Sequence, residues 1–390
     1  MFDTLDTIDW AAFGPHIYGQ AAEIPGHIRR LLSPHPVERE EALALLFGEG
    51  QDYGNVYGTT APIIPFVLEV IADDTLPGRE ACLDHLEWIT IAKVYTGGQP
   101  EYSIRQMRHY LNAYDALERG IPLYFKLLDD PQADIRSGAA AVLAGLNASA
   151  ATILPVLHDH FTAESIESVQ IALIEAMARL LREQDYSGSD LRKTYAPFFH
   201  HIVDTGTALR FTAAKAAITA SVSQGFGTQL ERSEVTPGLV AALLERYWSL
   251  PDDFDRAFAR QEIVRLLAHL PDLTPLIDLL HHPATTPEDA HLLGRGLLAS
   301  TVHGPVALNQ YWNYYPIFKY RHEKKIYDIY NLSQTLDIWR TLSGGIWDVL
   351  QALVDADQFW VLPTNLLSVM FNLPDDREHL RAFVERKGMP

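Results

Sequence analysis

Apolar residues return every three or four positions along most of the chain. Ile171, Ile174, Ala178 and Leu181 keep that spacing, as do Ile104, Met107, Tyr110, Leu111, Tyr114 and Leu117. Such spacing lays apolar side chains along one face of an α-helix. No run alternates with period two for long enough to predict a sheet. The clearest unit runs from Asp129 to Leu146, where Leu127-Leu128-Asp129-Asp130-Pro131 ends one helix and an Ala-rich helix follows a tight turn. Degenerate copies recur from about residue 24 to about residue 300, with a period of about 40. A short helix pair cannot bury its apolar faces alone, so this recurrence predicts an all-α architecture of stacked pairs, an α-solenoid.

Proline near the start of each first helix marks the pairs, because its fixed φ suits a first turn. The markers are Pro25, Pro65, Pro122, Pro155, Pro197, Pro237 and Pro275. Second helices are predicted over 38–47, 79–92, 135–146, 165–181, 208–221, 254–270 and 287–300. The long interval between Pro65 and Pro122 holds an extra helix at about 102–119. Three regions follow: an N-terminal cap (1–23), a solenoid of about seven pairs (24–304) and an aromatic-rich helical C-terminal cap (305–390).

The run from Leu127 to Pro131, with Ile135-Arg136, Ala139-Ala140 and Leu143, resembles a HEAT repeat of the armadillo-type class. Leu209-Arg210 with Ala213-Ala214 and Ala217 echoes it. The resemblance implies that Asp130 and Arg136 make structural polar links between repeats, with Arg210 in the same job, and that second helices line a concave face. Gln170 stands where an Arg would extend that ladder. The N-terminal third also resembles a group of bacterial HEAT-repeat proteins of unassigned function, through Ile8-Asp9-Trp10, Tyr18-Gly19, Ile24-Pro25 and the segment Gly54 to Phe66. Where that group carries His-Gln before the glycine, this chain has Asp52-Tyr53.

Charge narrows the partners. Across 390 residues, 50 acidic side chains face 31 basic ones, a formal charge of −19. Such a surface repels phosphate backbones, so nucleic acid and anionic membrane are disfavoured. The single cysteine, Cys82, excludes an internal disulfide framework and fits a reducing cytoplasm. The acidic N-terminus lacks the charge pattern of a signal peptide. The uncharged stretch Ser137 to Leu157 reads as helix, turn and helix, not as a membrane span.

Positive signals for chemistry are few. The glycines of Gly48 to Gly54 follow a helix and lack a P-loop lysine. His158-Asp159-His160, His200-His201 and His281-His282 are spaced so that helical neighbours diverge, and no HExxH spacing occurs, so neither metal nor cofactor is expected. No Gly-x-Ser-x-Gly elbow is present. The paired carboxylates Asp129/Asp130, Asp252/Asp253 and Asp375/Asp376 sit in turn-like contexts.

Binding candidates remain. Arg39, Arg79, Arg136 and Arg210 lie early in second helices and would line the concave face, with Tyr53 and Tyr57 at a rim. Tyr311, Trp312, Tyr315 and Arg321 combine aromatics with positive charge, which makes them either a recognition surface or part of a cap. The sequence therefore leads to a non-enzymatic cytoplasmic scaffold that binds a protein partner. The rivals are an enzyme or cofactor handler on the same scaffold, bilin-lyase-like or glycosylase-like, and an adaptor joining two proteins.

Overall fold

A computed structural model of the chain describes residues 1–13, 15–16, 19–48, 56–90, 100–182, 189–205, 207–221, 235–250, 256–302, 345–362, 367, 373–374, 376 and 377–385. Among these the architecture is helical. The exception is a two-residue antiparallel ladder in which Pro15 faces Gln20 and His16 faces Gly19. The chain divides into two compact units, Met1–Lys193 and Thr194–Pro390.

The first unit holds α1 (Ile24–Arg30), α2 (Pro36–Phe47), α3 (Thr60–Ala72), α4 (Arg79–Thr90), α5 (Pro100–Glu118), α6 (Ile121–Leu127), α7 (Ala133–Leu143), α8 (Ala150–Ala163) and α9 (Glu167–Arg182). Consecutive helices pair as α1 with α2, α3 with α4, α6 with α7 and α8 with α9. The second members also touch in series: α2 on α4, α4 on α7, α7 on α9. The extra helix α5 packs against α3. Ahead of α1, the Trp10 indole donates to the Leu5 carbonyl at 3.0 Å, and Phe2 and Trp10 lie against Phe66 of α3. The N-terminal segment thus covers an apolar helix that would otherwise face water.

The predicted second helices form within a few residues of their expected limits. The proline ruler is less regular. Pro25 and Pro122 stand in first turns, whereas Pro65 and Pro155 lie inside α3 and α8, which start earlier, at Thr60 and Ala150. An interior proline forgoes one backbone hydrogen bond and costs about 3 kcal/mol. Burial of Ile63, Ile64, Val67, Ile153, Leu154 and Leu157 offsets that loss.

The Ala-rich α7 sits close to α4. A Cβ at Gly145 would stand 2.2 Å from the Thr90 Cβ, and one at Gly138 would stand 3.0 Å from the Leu83 Cβ. At Gly145 only glycine admits that approach.

The division between units falls within α10 (Ser189–Thr205), which contains Pro197 in its interior, a third departure from the ruler. The second unit continues with α11 (Arg210–Ser221), α12 (Pro237–Ser249), α13 (Arg256–Ala268), α14 (Thr274–His281), α15 (Pro287–Val302), α16 (Gly345–Asp355) and α17 (Arg377–Glu385). Pro237 and Pro275 occupy first turns, as the ruler requires. Helix α15 is covered by α16 and the 3-10 turn Asp357–Trp360. There Phe359, fully buried, presses on Gly294, and its carbonyl lies 2.8 Å from His291 Nε2.

No single helix among the described residues is long and apolar enough to cross a membrane. Helix α7 meets the Asn147–Ala163 segment at 90°, the helix–turn–helix expected of that uncharged stretch.

Candidate binding face of the second helices

The arginines expected to reach outward reach back into the turns instead. Arg39 and Arg136 are each the fourth residue of their helix, and each donates from Nη1 to the carbonyl six residues earlier: Arg39 to Ser33 and Arg136 to Asp130, both at 2.8 Å. Gln170, fourth in α9, repeats the pattern, its Nε2 donating to the Glu164 carbonyl at 2.8 Å. A six-residue step spans the turn between paired helices, so each side chain satisfies a carbonyl that follows the first helix.

These contacts join into a relay. Arg79 donates from Nε to the Ile71 carbonyl and from Nη2 to Asp130 Oδ2, at 2.8 and 2.7 Å. The other Asp130 oxygen accepts from the Gln132 amide, holding the turn that leads into α7. Arg136 grips Glu164 with a bidentate pair, Nε to Oε2 at 2.8 Å and Nη2 to Oε1 at 3.2 Å. Burial would raise the Glu164 carboxyl, but Arg136 and the amides of Ile166 and Ser165 outweigh it and hold the group below the usual glutamate range. At the other end, a Cβ on Gly78 would stand 2.7 Å from Arg39 Nε, so Arg39 rests on the turn that leads into α4.

Asp130 and Arg136 therefore both link neighbouring helix pairs, but Asp130 takes its side-chain partner from Arg79. Arg79, at 2% exposure, is an interior residue and offers a partner nothing. In the second unit Arg210 clasps both oxygens of Glu245, at 2.9 and 2.7 Å, and donates to the Gly238 carbonyl. Arg260 pairs with Asp289 and lies over the Tyr247 ring. Tyr57 has its main chain tied to Thr60 at the start of α3. Tyr53, Tyr311, Trp312, Tyr315 and Arg321 lie outside the described residues.

With the arginines turned inward, carboxylates dominate the accessible side of the second helices. Glu80, Asp84 and Trp88 follow one another at four-residue intervals along α4, with Trp88 43% exposed. Helix α7 adds Asp134, and α9 adds Glu175 and Arg179. Arg179 spans back to α4, donating to Thr90 Oγ1 at 3.1 Å and lying 3.4 Å from Glu87. Partial burial raises the Asp84 carboxyl; His85 opposes this, and Glu80 and Asp134 reinforce it. Burial likewise raises Glu87, with Arg179 opposing and Asp84 and Glu175 adding to the rise. Carboxylates from three successive helices thus share one electrostatic field. Sequence reasoning passed over Asp84, Glu87, Trp88 and Glu175. On α4 the placement of Asp84 and Trp88 opposite the apolar Cys82, Leu83 and Leu86 was the available signal.

Other candidates resolve locally. Burial pushes the Cys82 thiol up to about 12, leaving it protonated and packed. His282 follows the last residue of its helix, its Nδ1 accepting from the Ala284 amide, and its ring lies 4.4 Å from that of Trp248, tilted by 45°. Among the described residues no three His, Cys, Asp or Glu side chains are grouped to hold a metal ion.

No family model and no curated protein matches the chain. A solved structure described as an engineered protein aligns with 94% of this chain and 98% of its own length, at 13% identity and a TM-score of 0.35.

Proposed function

We propose that the protein is a HEAT-like α-solenoid scaffold, without catalytic activity, that holds a protein partner against the second-helix face of its first unit. One observation carries the reading: the arginines at the turns are spent on internal links, while Glu80, Asp84, Glu87, Asp134 and Glu175 crowd one accessible face around Trp88. Burial disfavours the charged forms of Asp84 and Glu87, and a cationic neighbour would oppose that effect. The partner surface is accordingly basic, with an apolar or cationic group to lie on the indole. The same charge repels nucleic acid. The serial contacts of α2, α4, α7 and α9, and the turn-to-turn relay, support the solenoid and the HEAT-like ladder.

The test compares wild type with a Glu80→Lys/Asp84→Lys variant of equal helicity as bait for soluble proteins, at low and high salt. A basic polypeptide retained by wild type, released by salt and lost by the variant supports the reading. Equal retention by both baits would sink the assignment of this face. Arg136 and Arg210 are unsuitable for such a test, because their loss loosens the fold itself.

A further inference from the structure

Helix α5 breaks the pairwise order, and its outward surface is unlike the rest of the first unit. Its inner side is anchored. Ala113, Ala116 and Leu117 are buried, the Tyr114 hydroxyl accepts from the Ala148 amide at 3.2 Å, and Glu118 Oε1 accepts from Ser149 at 3.0 Å. The outer side carries Met107 and Leu111, 42% and 51% exposed, one helical turn apart. Arg108 and Asp115, both exposed, stand seven residues apart on the same stripe, with Leu111 between them. Positions related by three, four and seven residues share a helix face.

This stripe is complementary to itself when reversed. About a point between Leu111 and Asn112, an antiparallel copy sets Arg108 against the partner's Asp115, and Asp115 against the partner's Arg108. The same operation sets Leu111 beside the partner's Asn112 at the crossing. A two-fold interface requires such a pattern, because each patch must recognise an identical patch. Charged flanks beside an apolar seam fix both the direction and the register of a helix pair.

We propose that the outer face of α5 is a homodimer interface, in which two copies of this chain cross antiparallel at Leu111 and exchange Arg108–Asp115 ion pairs. A 19-residue helix is about 28 Å long, so one helix pair makes a small contact and the association is weak. The occupant is a second copy, not a different basic or acidic protein, because both Arg108 and Asp115 are answered by the same stripe read backwards, with Leu111 beside the crossing point. This surface is separate from the acidic face of the second helices, so one can fail without the other.

The test is sedimentation velocity of the full chain from about 1 to about 300 µM, the range in which small interfaces associate. Wild type is expected to move from 43.8 kDa toward twice that mass. Arg108→Asp sets carboxylate against carboxylate, and Asp115→Arg sets guanidinium against guanidinium. Each substitution should weaken association at least about tenfold. Mixed together, the two variants regain complementarity, because one stripe then carries a carboxylate at both positions and the other a guanidinium at both. The mixture should associate at least as tightly as wild type. Both positions are exposed, and circular dichroism of each variant checks that helicity is unchanged. A wild-type monomer throughout the range overturns the proposal. So does a dimer insensitive to both reversals, or a pair of variants that stay monomeric when mixed.

Discussion

The pair Arg79–Asp130 offers the sharpest trial of the relay. Both side chains are nearly inaccessible, at 3% and 6%, and Arg79 Nη2 lies 2.7 Å from Asp130 Oδ2. Asp130→Asn keeps an oxygen for the Gln132 amide and removes only the charge that answers Arg79. An arginine left without its counter-charge in such a place costs about 3–5 kcal/mol. Arg79→Met leaves the opposite charge stranded and also gives up the contact to the Ile71 carbonyl, for a similar total. Removing both charges together is far milder, because neither is then left unanswered. The double variant Arg79→Met/Asp130→Asn should therefore be more stable than either single one, with a coupling of about 2–3 kcal/mol. Urea unfolding followed by far-UV circular dichroism reads this directly. With a slope of about 2 kcal/mol per molar, each single variant should lower the midpoint by about 2 M. Additive losses, or single losses below about 1 kcal/mol, would refute the claim that this ion pair fastens α4 to the turn before α7.

Burial lowers His269 to about 4, so between pH 6.5 and 4 the unfolded chain binds a proton that the folded chain refuses. Stability should fall by about 3 kcal/mol as pH drops through that window, and His269→Phe should flatten the slope in urea midpoints measured across it. Gly145→Ala should cost about 1–3 kcal/mol, because the new methyl meets Thr90 at 2.2 Å. Thr90→Gly, which removes that Cβ, should rescue it, and Thr90→Ala, which keeps it, should not. Cys82 should resist a thiol reagent at pH 8 in the folded protein and react at once in denaturant, since burial holds its thiol at about 12.

Helical periodicity made the second helices legible, because an apolar stripe of Ile171, Ile174, Ala178 and Leu181 leaves little choice of structure. Prolines were a weaker guide. Pro65 and Pro155 sit inside helices whose buried apolar residues outweigh one missing hydrogen bond, a balance no local rule reports. The direction of the arginines was hidden for a different reason. Position on a helix tells which way a Cα–Cβ bond points, but a guanidinium has enough reach to turn round. Arg39 and Arg136 curl back six residues to a carbonyl, and Arg79 finds Asp130 51 residues away. Neither outcome is visible until the turn and the stacking are known. What remains accessible after those arginines are withdrawn is acidic, in keeping with the charge of the whole chain.

The relay also bears on how such a chain can grow. The pair α6–α7 brings one acid, Asp130, that answers the arginine before it, and one arginine, Arg136, that answers the acid after it. Deleting that pair would bring Arg79 to face Glu164, and copying it would add another acid and another arginine in the same order. Within the relay, the α6–α7 pair is thus a module with one charge of each sign and matching ends. Length can change by whole modules without orphaning a charge, and the relay stops at Gln170, whose uncharged amide closes its own turn and offers no charge to the next.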